Sequence, residues 1–183
     1  MRTFIAIDIS PTQEIQLLLN DFLKNLNGVE IKYSDVANYH ITLAFLGETS
    51  SFQLNEICKY LDSIKLTSNK IDIKMRGLGV IKHGQSPSAI WVGIEPNDCL
   101  KELWIVVNKV FTDLDLEPNL QTFTPHLTLG RIKKIEPTNN LQLFKNKYQE
   151  VSFGGTSITE FVYYQSILTP QSPIYKTIRK FKI

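Results

Sequence analysis

The sequence has little cysteine, little histidine, no long apolar run and almost no excess of one charge. Cys58 and Cys99 are its two cysteines. They make no CxxC pair, and no histidine stands at metal-ligand spacing from them, which excludes a disulfide scaffold, a dithiol redox centre and a zinc finger. Such thiols read as reduced and mostly buried. No stretch reaches the roughly 18 apolar residues of a membrane helix. The opening MRTFIAIDIS gives way to Pro11 and polar residues too early for a secretory signal. A cytoplasmic protein with no metal and no membrane partner is therefore predicted. Twenty Lys and Arg against eighteen Asp and Glu leave a net charge of +2. That balance admits a small anionic ligand and gives little support for grip along a duplex. With three histidines in the chain, any imidazole chemistry must come from His40, His83 or His126.

What is present is a globular composition: 43% hydrophobic and 21% charged residues over 183 positions. A chain of this size buries a core without staples and reads as one compact unit. Residues 3–9 alternate as a half-buried strand, Ile5, Ile7 and Ile9 on one side and Phe4, Ala6 and Asp8 on the other. Ser10 is the predicted N-cap of a helix, with Pro11 first and Gln13 closing a capping box, and Asn27-Gly28 ends it. A strand is predicted at 39–46. Ser50 and Gln53 then form a second box before a helix with Leu54, Ile57, Leu61 and Ile64 inward. Strands at 71–76 and 88–95 flank a loop rich in Gly, Ser and Pro, and a third helix covers 98–114. Strands follow at 124–131, near 149–153, at 158–168 and at 174–182, with a polar loop around Pro137–Asn140. Many strands adjoin without a helix between them, which predicts an α+β fold with antiparallel pairing.

The informative pattern is a partial repeat. Residues 40–43 read His-Ile-Thr-Leu and residues 126–129 read His-Leu-Thr-Leu, nearly half the chain apart. On a strand, residues i and i+2 share a face. His40 and Thr42 then point together, with Ile41, Leu43 and Phe45 opposite; His126 and Thr128 point together, with Leu127 and Leu129 opposite. If the halves pack with two-fold symmetry, two imidazoles and two hydroxyls meet in one cleft. Such a set suits phosphate: one imidazole acts as base and the other as acid near neutral pH, while Thr hydroxyls donate to phosphoryl oxygens. His83 lies in Ile-Lys-His-Gly-Gln with no Thr partner and reads as an exposed loop residue.

In these motifs the chain resembles the two-histidine (2H) phosphoesterases, in particular the RNA 2′,3′-cyclic phosphodiesterase branch, formerly named 2′-5′ RNA ligase. The resemblance runs through residues 2–8, Asn-Tyr-His-Ile-Thr-Leu-Ala-Phe-Leu-Gly-Glu at 38–48, Ile-Trp-Val-Gly at 90–93, Phe-Thr-Pro-His-Leu-Thr-Leu-Gly-Arg at 123–131, and 165–175. It implies a single bilobal domain over 1–183, two pseudo-symmetric lobes around a central cleft, each lobe supplying one His-x-Thr strand. It also implies hydrolysis of a terminal 2′,3′-cyclic phosphate on RNA ends or nucleotides to a 2′-phosphomonoester, with weak 2′-5′ joining in reverse and no cofactor. His40 and His126 match the catalytic pair, Thr42 and Thr128 their phosphate-binding partners, Arg131 a phosphate-binding cation, and Phe4 an aromatic lining the nucleotide end of the cleft. Strict alternation puts Arg131 opposite His126, so it reaches the phosphate only if the strand bends near Gly130. The chain departs from the family's common Trp at Tyr33 and Pro-Arg at Ser88-Ala89.

His40 is assigned as acid and His126 as base, with the reverse left open by the symmetry. A monomer is the default. The alternatives are action on another small cyclic phosphate or a 2′-5′ linked oligonucleotide, and a non-catalytic module that binds RNA ends. Hydrolysis of a 2′,3′-cyclic nucleotide is expected to survive excess EDTA in full; turnover that disappears and returns with zinc or magnesium would overturn the metal-free reading.

Overall fold

A computed structural model describes residues 1–84, 86–116, 122–170 and 172–183; the His83 side chain and the exposure expected of it lie outside the description. The described residues form β1 (Arg2–Asp8), α1 (Gln13–Asn25), β2 (Val29–Tyr33), a 3-10 turn (Val36–Asn38), β3 (His40–Glu48) and α2 (Ser51–Ser63). There follow β4 (Ile71–His83), β5 (Ser86–Ile94), α3 (Asp98–Asp113), β6 (His126–Ile135), α4 (Leu141–Lys147), β7 (Ser152–Ile158), β8 (Glu160–Ile167) and β9 (Ile174–Lys182). No helix among them is long and apolar enough to cross a membrane.

Two antiparallel sheets carry the fold, as the adjacency of strands predicts. The first has the order β3-β1-β8-β9 and the second β2-β6-β5-β4-β7. Apart from β2, the sheets correspond strand for strand: β3 with β6, β1 with β5, β8 with β4 and β9 with β7. The lobes are not the two halves of the sequence. The first sheet takes β1 and β3 from the start of the chain and β8 and β9 from its end. The helices cross over as well: α1 lies against β7 and α4 against β4, whereas α3 lies against β3 and α2 against α3 and β9. One continuous hydrophobic cluster joins Ile5, Ile7 and Ile41 of the first sheet to Ile73, Val92 and Leu127 of the second.

Several local expectations are corrected. The first helix is capped by Thr12, not Ser10: its Oγ1 accepts from Ile15 N at 3.2 Å and donates to the Phe153 carbonyl at 2.7 Å, so β7 selects the start of the helix. The Ser50–Gln53 capping box forms as read, with both reciprocal bonds. β1 is buried on both faces, because it is central and its Phe4 face meets an aromatic cluster with Val162, Tyr164 and Tyr175. The expected loop after residue 76 is strand: β4 runs on to His83, which pairs with Ser86 across the hairpin. β2 and α4 have no counterpart in the sequence reading, being five and seven residues long.

Glycine makes that hairpin possible at one close approach. The Trp91 ring lies over Gly79, where an added Cβ would collide with its six-membered ring, and over Gly93, where it would stand 3.2 Å from the ring. Gly79→Ala is expected to lower stability by about 1–3 kcal/mol, the scale of overpacking, and to shift tryptophan emission as the indole is displaced. A urea midpoint and emission identical to wild type would show that Trp91 does not need this gap.

Candidate active site

His40 and His126 are the first residues of β3 and β6, the corresponding strands of the two sheets. The segments before them are built alike. His40 Nδ1 lies 2.7 Å from the Asn38 carbonyl and His126 Nδ1 lies 2.8 Å from the Thr124 carbonyl, in each case two residues back. A carbonyl oxygen can only accept, so Nδ1 keeps its proton and Nε2 is left available for proton transfer on both rings. The intervening carbonyls are also matched: Tyr39 O accepts from Ile9 N at 2.9 Å and Pro125 O from Ile94 N at 3.2 Å. Asp35 fixes the turn before His40, its Oδ1 accepting from Ala37 N at 2.9 Å.

Both strands then break alternation at the same place. Along β1, Ala6 pairs with Thr42 but Ile5 with Ala44, leaving Leu43 as an extra residue. Along β5, Trp91 pairs with Thr128 but Ile90 with Gly130, leaving Leu129 extra. These are β-bulges, and each swings the following residues onto the opposite face. Their stray carbonyls are satisfied differently: Leu43 O accepts from Asn108 Nδ2 at 3.0 Å and Leu129 O from Ser34 N at 2.9 Å. At Gly130 an added Cβ would come within 2.7 Å of Ile31 and 2.9 Å of the Lys32 carbonyl, so the crowded bulge requires glycine.

Two side chains change face as a result. Arg131, opposite His126 by alternation, turns to the His126 and Thr128 side, and the bend anticipated near Gly130 is this bulge. Phe45, read as pointing away from His40, is corrected: it occupies the position equivalent to Arg131, is 47% exposed, and joins the cleft. One cleft of about 650 Å³ is lined by His40, Thr42, His126, Thr128, Arg131 and Phe4, so the structure brings together all six residues singled out in the sequence. Phe4 is its floor: the ring is only 3% exposed and packs on His40 at 5.3 Å between centroids. Trp91 backs His126 in the same way at 5.6 Å.

Tyr175, which the sequence places in the matching tail without assigning it a role, belongs to the cleft. Its ring meets His40 edge-on at 5.3 Å and Phe4 at 4.8 Å. Burial pushes its phenol up, opposed by the charges of Arg131 and Arg2, so Arg131 acts across the cleft toward the first sheet. Tyr33 also lines the cleft.

The histidines differ in electrostatics. Burial pushes His40 below the ordinary imidazole value and the facing His126 acts the same way; the bond to the Asn38 carbonyl and the charge of Asp8 oppose the fall. Asp8 pairs with His40 across β1 and β3, whereas the residue paired with His126 is Gly93. Tyr164 Oη donates to Asp8 at 2.7 Å and 2.8 Å and holds the carboxylate in place.

Comparison with known proteins agrees with this geometry. A family model described as LigT like Phosphoesterase matches residues 7–91 and 93–175. The RNA 2′,3′-cyclic phosphodiesterase of Archaeoglobus fulgidus is 34% identical over 183 residues, all of both chains. That of Methanocaldococcus jannaschii is 32% identical over 181 residues, 99% of this chain and all of the relative. Among solved structures, E. coli LigT complexed with 3′-AMP superposes with a TM-score of 0.78 at 21% identity, covering 100% of this chain and 97% of the other. A protein of Thermus thermophilus gives 0.77 at 23% identity, with coverage of 100% and 97%. At such identity these structures speak for the shared fold.

The lowered His40 has a consequence for stability. Its folded-state affinity for protons is below that of the unfolded chain, whose histidine titrates near about 6.5. The unfolded state therefore binds more protons as pH falls through that value. This part of the stability is full above it and is lost toward the lower folded-state value. Urea midpoints are expected to fall between pH 7.5 and pH 5.5, and to fall less in His40→Asn. Equal falls in both proteins would refute the burial account.

Proposed function

This chain belongs to the LigT-like phosphoesterase family, and we propose that it hydrolyses terminal 2′,3′-cyclic phosphates on RNA to 2′-phosphomonoesters by two-histidine acid–base catalysis. The observation that carries the proposal is the matched pair of imidazoles, each with Nδ1–H engaged by a carbonyl two residues back and both lining one cleft with a threonine beside them. A binding module has no need of two rings whose tautomers are held identically. The names of the relatives support RNA ends as the substrate.

In this reading water attacks phosphorus in line with the ribose 3′-oxygen. His126 Nε2 takes the water proton, the bond from phosphorus to the 3′-oxygen breaks, and His40 Nε2–H protonates the departing oxygen. The product carries a 2′-phosphate and a 3′-hydroxyl, and proton exchange with solvent resets the two rings. Asp8 supports His40 as the acid. Its carboxylate favours a protonated His40, whereas the cross-strand partner of His126 is Gly93, which carries no charge, and an arriving phosphate adds negative charge that offsets the effect of burial. Thr42, Thr128 and Arg131 donate to the phosphoryl oxygens as charge builds on them. Phe4 and Trp91 keep the rings from turning. A 5′-hydroxyl in place of water would yield a 2′-5′ linkage by the same steps, which accounts for joining as a minor reaction.

We read residues 1–183 as one domain, a view supported by the main hydrophobic cluster that joins both sheets and by the interleaved strands. A monomer suffices, since one chain supplies both histidines, and two unpaired cysteines are compatible with a reducing cytoplasm. His40→Ala and His126→Ala are each expected to slow hydrolysis of a 2′,3′-cyclic nucleotide at least about 100-fold, the scale of acid–base residues, with melting temperatures near wild type. Near-normal turnover in either variant, or a 3′-phosphate product, would refute the mechanism.

A further inference from the structure

The wall of the cleft beyond the histidines carries cations that no acid among the described residues answers. In the pairing of β2 with β6, Lys32 stands directly opposite Arg131, so the two side chains leave the same face of the sheet. Lys133 follows at the next position on that face and is itself an extra residue, skipped between the partners of Glu30 and Ile31. The alternating residues Ile31 and Ile132 pack on the core, which fixes the cationic face as the other one. Lys32, Arg131 and Lys133 are exposed and line the same cleft as the histidines.

None of the three enters an ion pair among the described residues. Lys32 Nζ reaches the Pro170 carbonyl at 3.5 Å, and the neighbouring Lys134 turns to Glu136 instead. Asp35 is the one carboxylate among the described residues lining the cleft, and its Oδ1 is committed to the Ala37 amide. Like charges directly opposite each other weaken a sheet. Here that repulsion is kept at the mouth of a cleft, in a protein with a net charge of only +2. An anion laid across these side chains relieves it.

Distance decides which anion. A strand rises about 3.3 Å per residue, and with the extra residues Leu129 and Lys133 discounted the run from Thr128 to Lys133 still spans on the order of 10 Å. That is well beyond the width of one phosphate bound at Thr128 and the histidines. A single phosphate cannot occupy both places, whereas a chain of phosphates can.

We propose that Lys32 and Lys133 form a second phosphate subsite, which takes an internal phosphodiester of the single-stranded oligonucleotide whose cyclic end reacts at the histidines. The proposal rests on the hydrolytic reading above and adds to it that oligonucleotide ends are preferred over mononucleotides. Arg131 stands between the two subsites, and the strand leaves the cleft along the β2–β6 edge.

The test compares wild type with Lys32→Gln/Lys133→Gln on a 2′,3′-cyclic mononucleotide and on a trinucleotide ending in a 2′,3′-cyclic phosphate, at low salt. Binding of the corresponding 2′-phosphorylated nucleoside and trinucleotide is measured in parallel. Wild type is expected to favour the trinucleotide at least about 10-fold in kcat/KM and in affinity. The double variant is expected to lose most of that preference while handling the mononucleotide within about twofold of wild type. The salt dependence of trinucleotide binding should flatten by about 0.7 in log–log slope, one single-strand phosphate contact. Equal handling of the two lengths by wild type, or a preference that survives both substitutions, overturns the subsite. Lysine-dependent affinity for the trinucleotide without turnover of any cyclic phosphate supports the subsite while removing the hydrolytic reading.

Discussion

A β-strand offers one face only every second residue, and that rule would follow each histidine and threonine of the cleft with Ala44 or Gly130. The cleft demands the next side chain instead, Phe45 or Arg131. Both strands meet the demand with one extra residue, Leu43 in β3 and Leu129 in β6, placed immediately after the threonine. Ahead of the bulge the imidazole and hydroxyl face the cleft; behind it the phase is reversed and Phe45 or Arg131 joins them. The leucines themselves remain in the core at 3% and 0% exposure. The stray carbonyls are satisfied by Asn108 from α3 on one side and by the Ser34 amide on the other. A buried carbonyl without a partner would cost about 1–3 kcal/mol, so these two contacts are part of what lets the bulges persist.

The symmetry around the cleft is strict in how each imidazole is held and broken in what stands beside it. Tautomer control is the same on both sides, and an aromatic ring backs each imidazole. The differences are Asp8 against Gly93 beside the histidines, and Phe45 against Arg131 after the bulges. The first gives the two rings unlike cross-strand neighbours, a carboxylate on one side and a bare backbone on the other. The second puts an apolar ring over one wall and a cation over the other, which suits a nucleotide with a base at one end and phosphate at the other.

Much of this was legible in the sequence. The two His-x-Thr strands, the α+β class and the Ser50 capping box follow from local periodicity and side-chain chemistry, both of which a strand or helix carries within itself. Gly130 hinted at the bulge that turns Arg131. Ala44 gives no such hint in β3, and Phe45 was placed on the wrong face, because the bulge is a property of the register with β1. Thr12 displaced Ser10 as the cap for a similar reason: its second bond goes to Phe153, far along the chain. β2 and α4 are too short for their periodicity to stand out, and the extension of β4 through glycine depends on where Trp91 lies. The face of Phe45, the cap at Thr12 and the extension of β4 were each settled by a partner on another element.

The interleaving of strands bears on how the molecule comes into being. The sheet that presents His40 is completed by β8 and β9, residues 160–182, and α1 has its packing partner in β7 at 152–158. During synthesis the first His-x-Thr strand therefore leaves the ribosome long before its sheet can close. An incomplete chain can hold neither lobe in final form, and folding is delayed until pairings of long sequence separation become available. Early termination before β8 would thus leave a nascent product whose first sheet lacks two of its four strands, and the cleft is complete only once that sheet has closed.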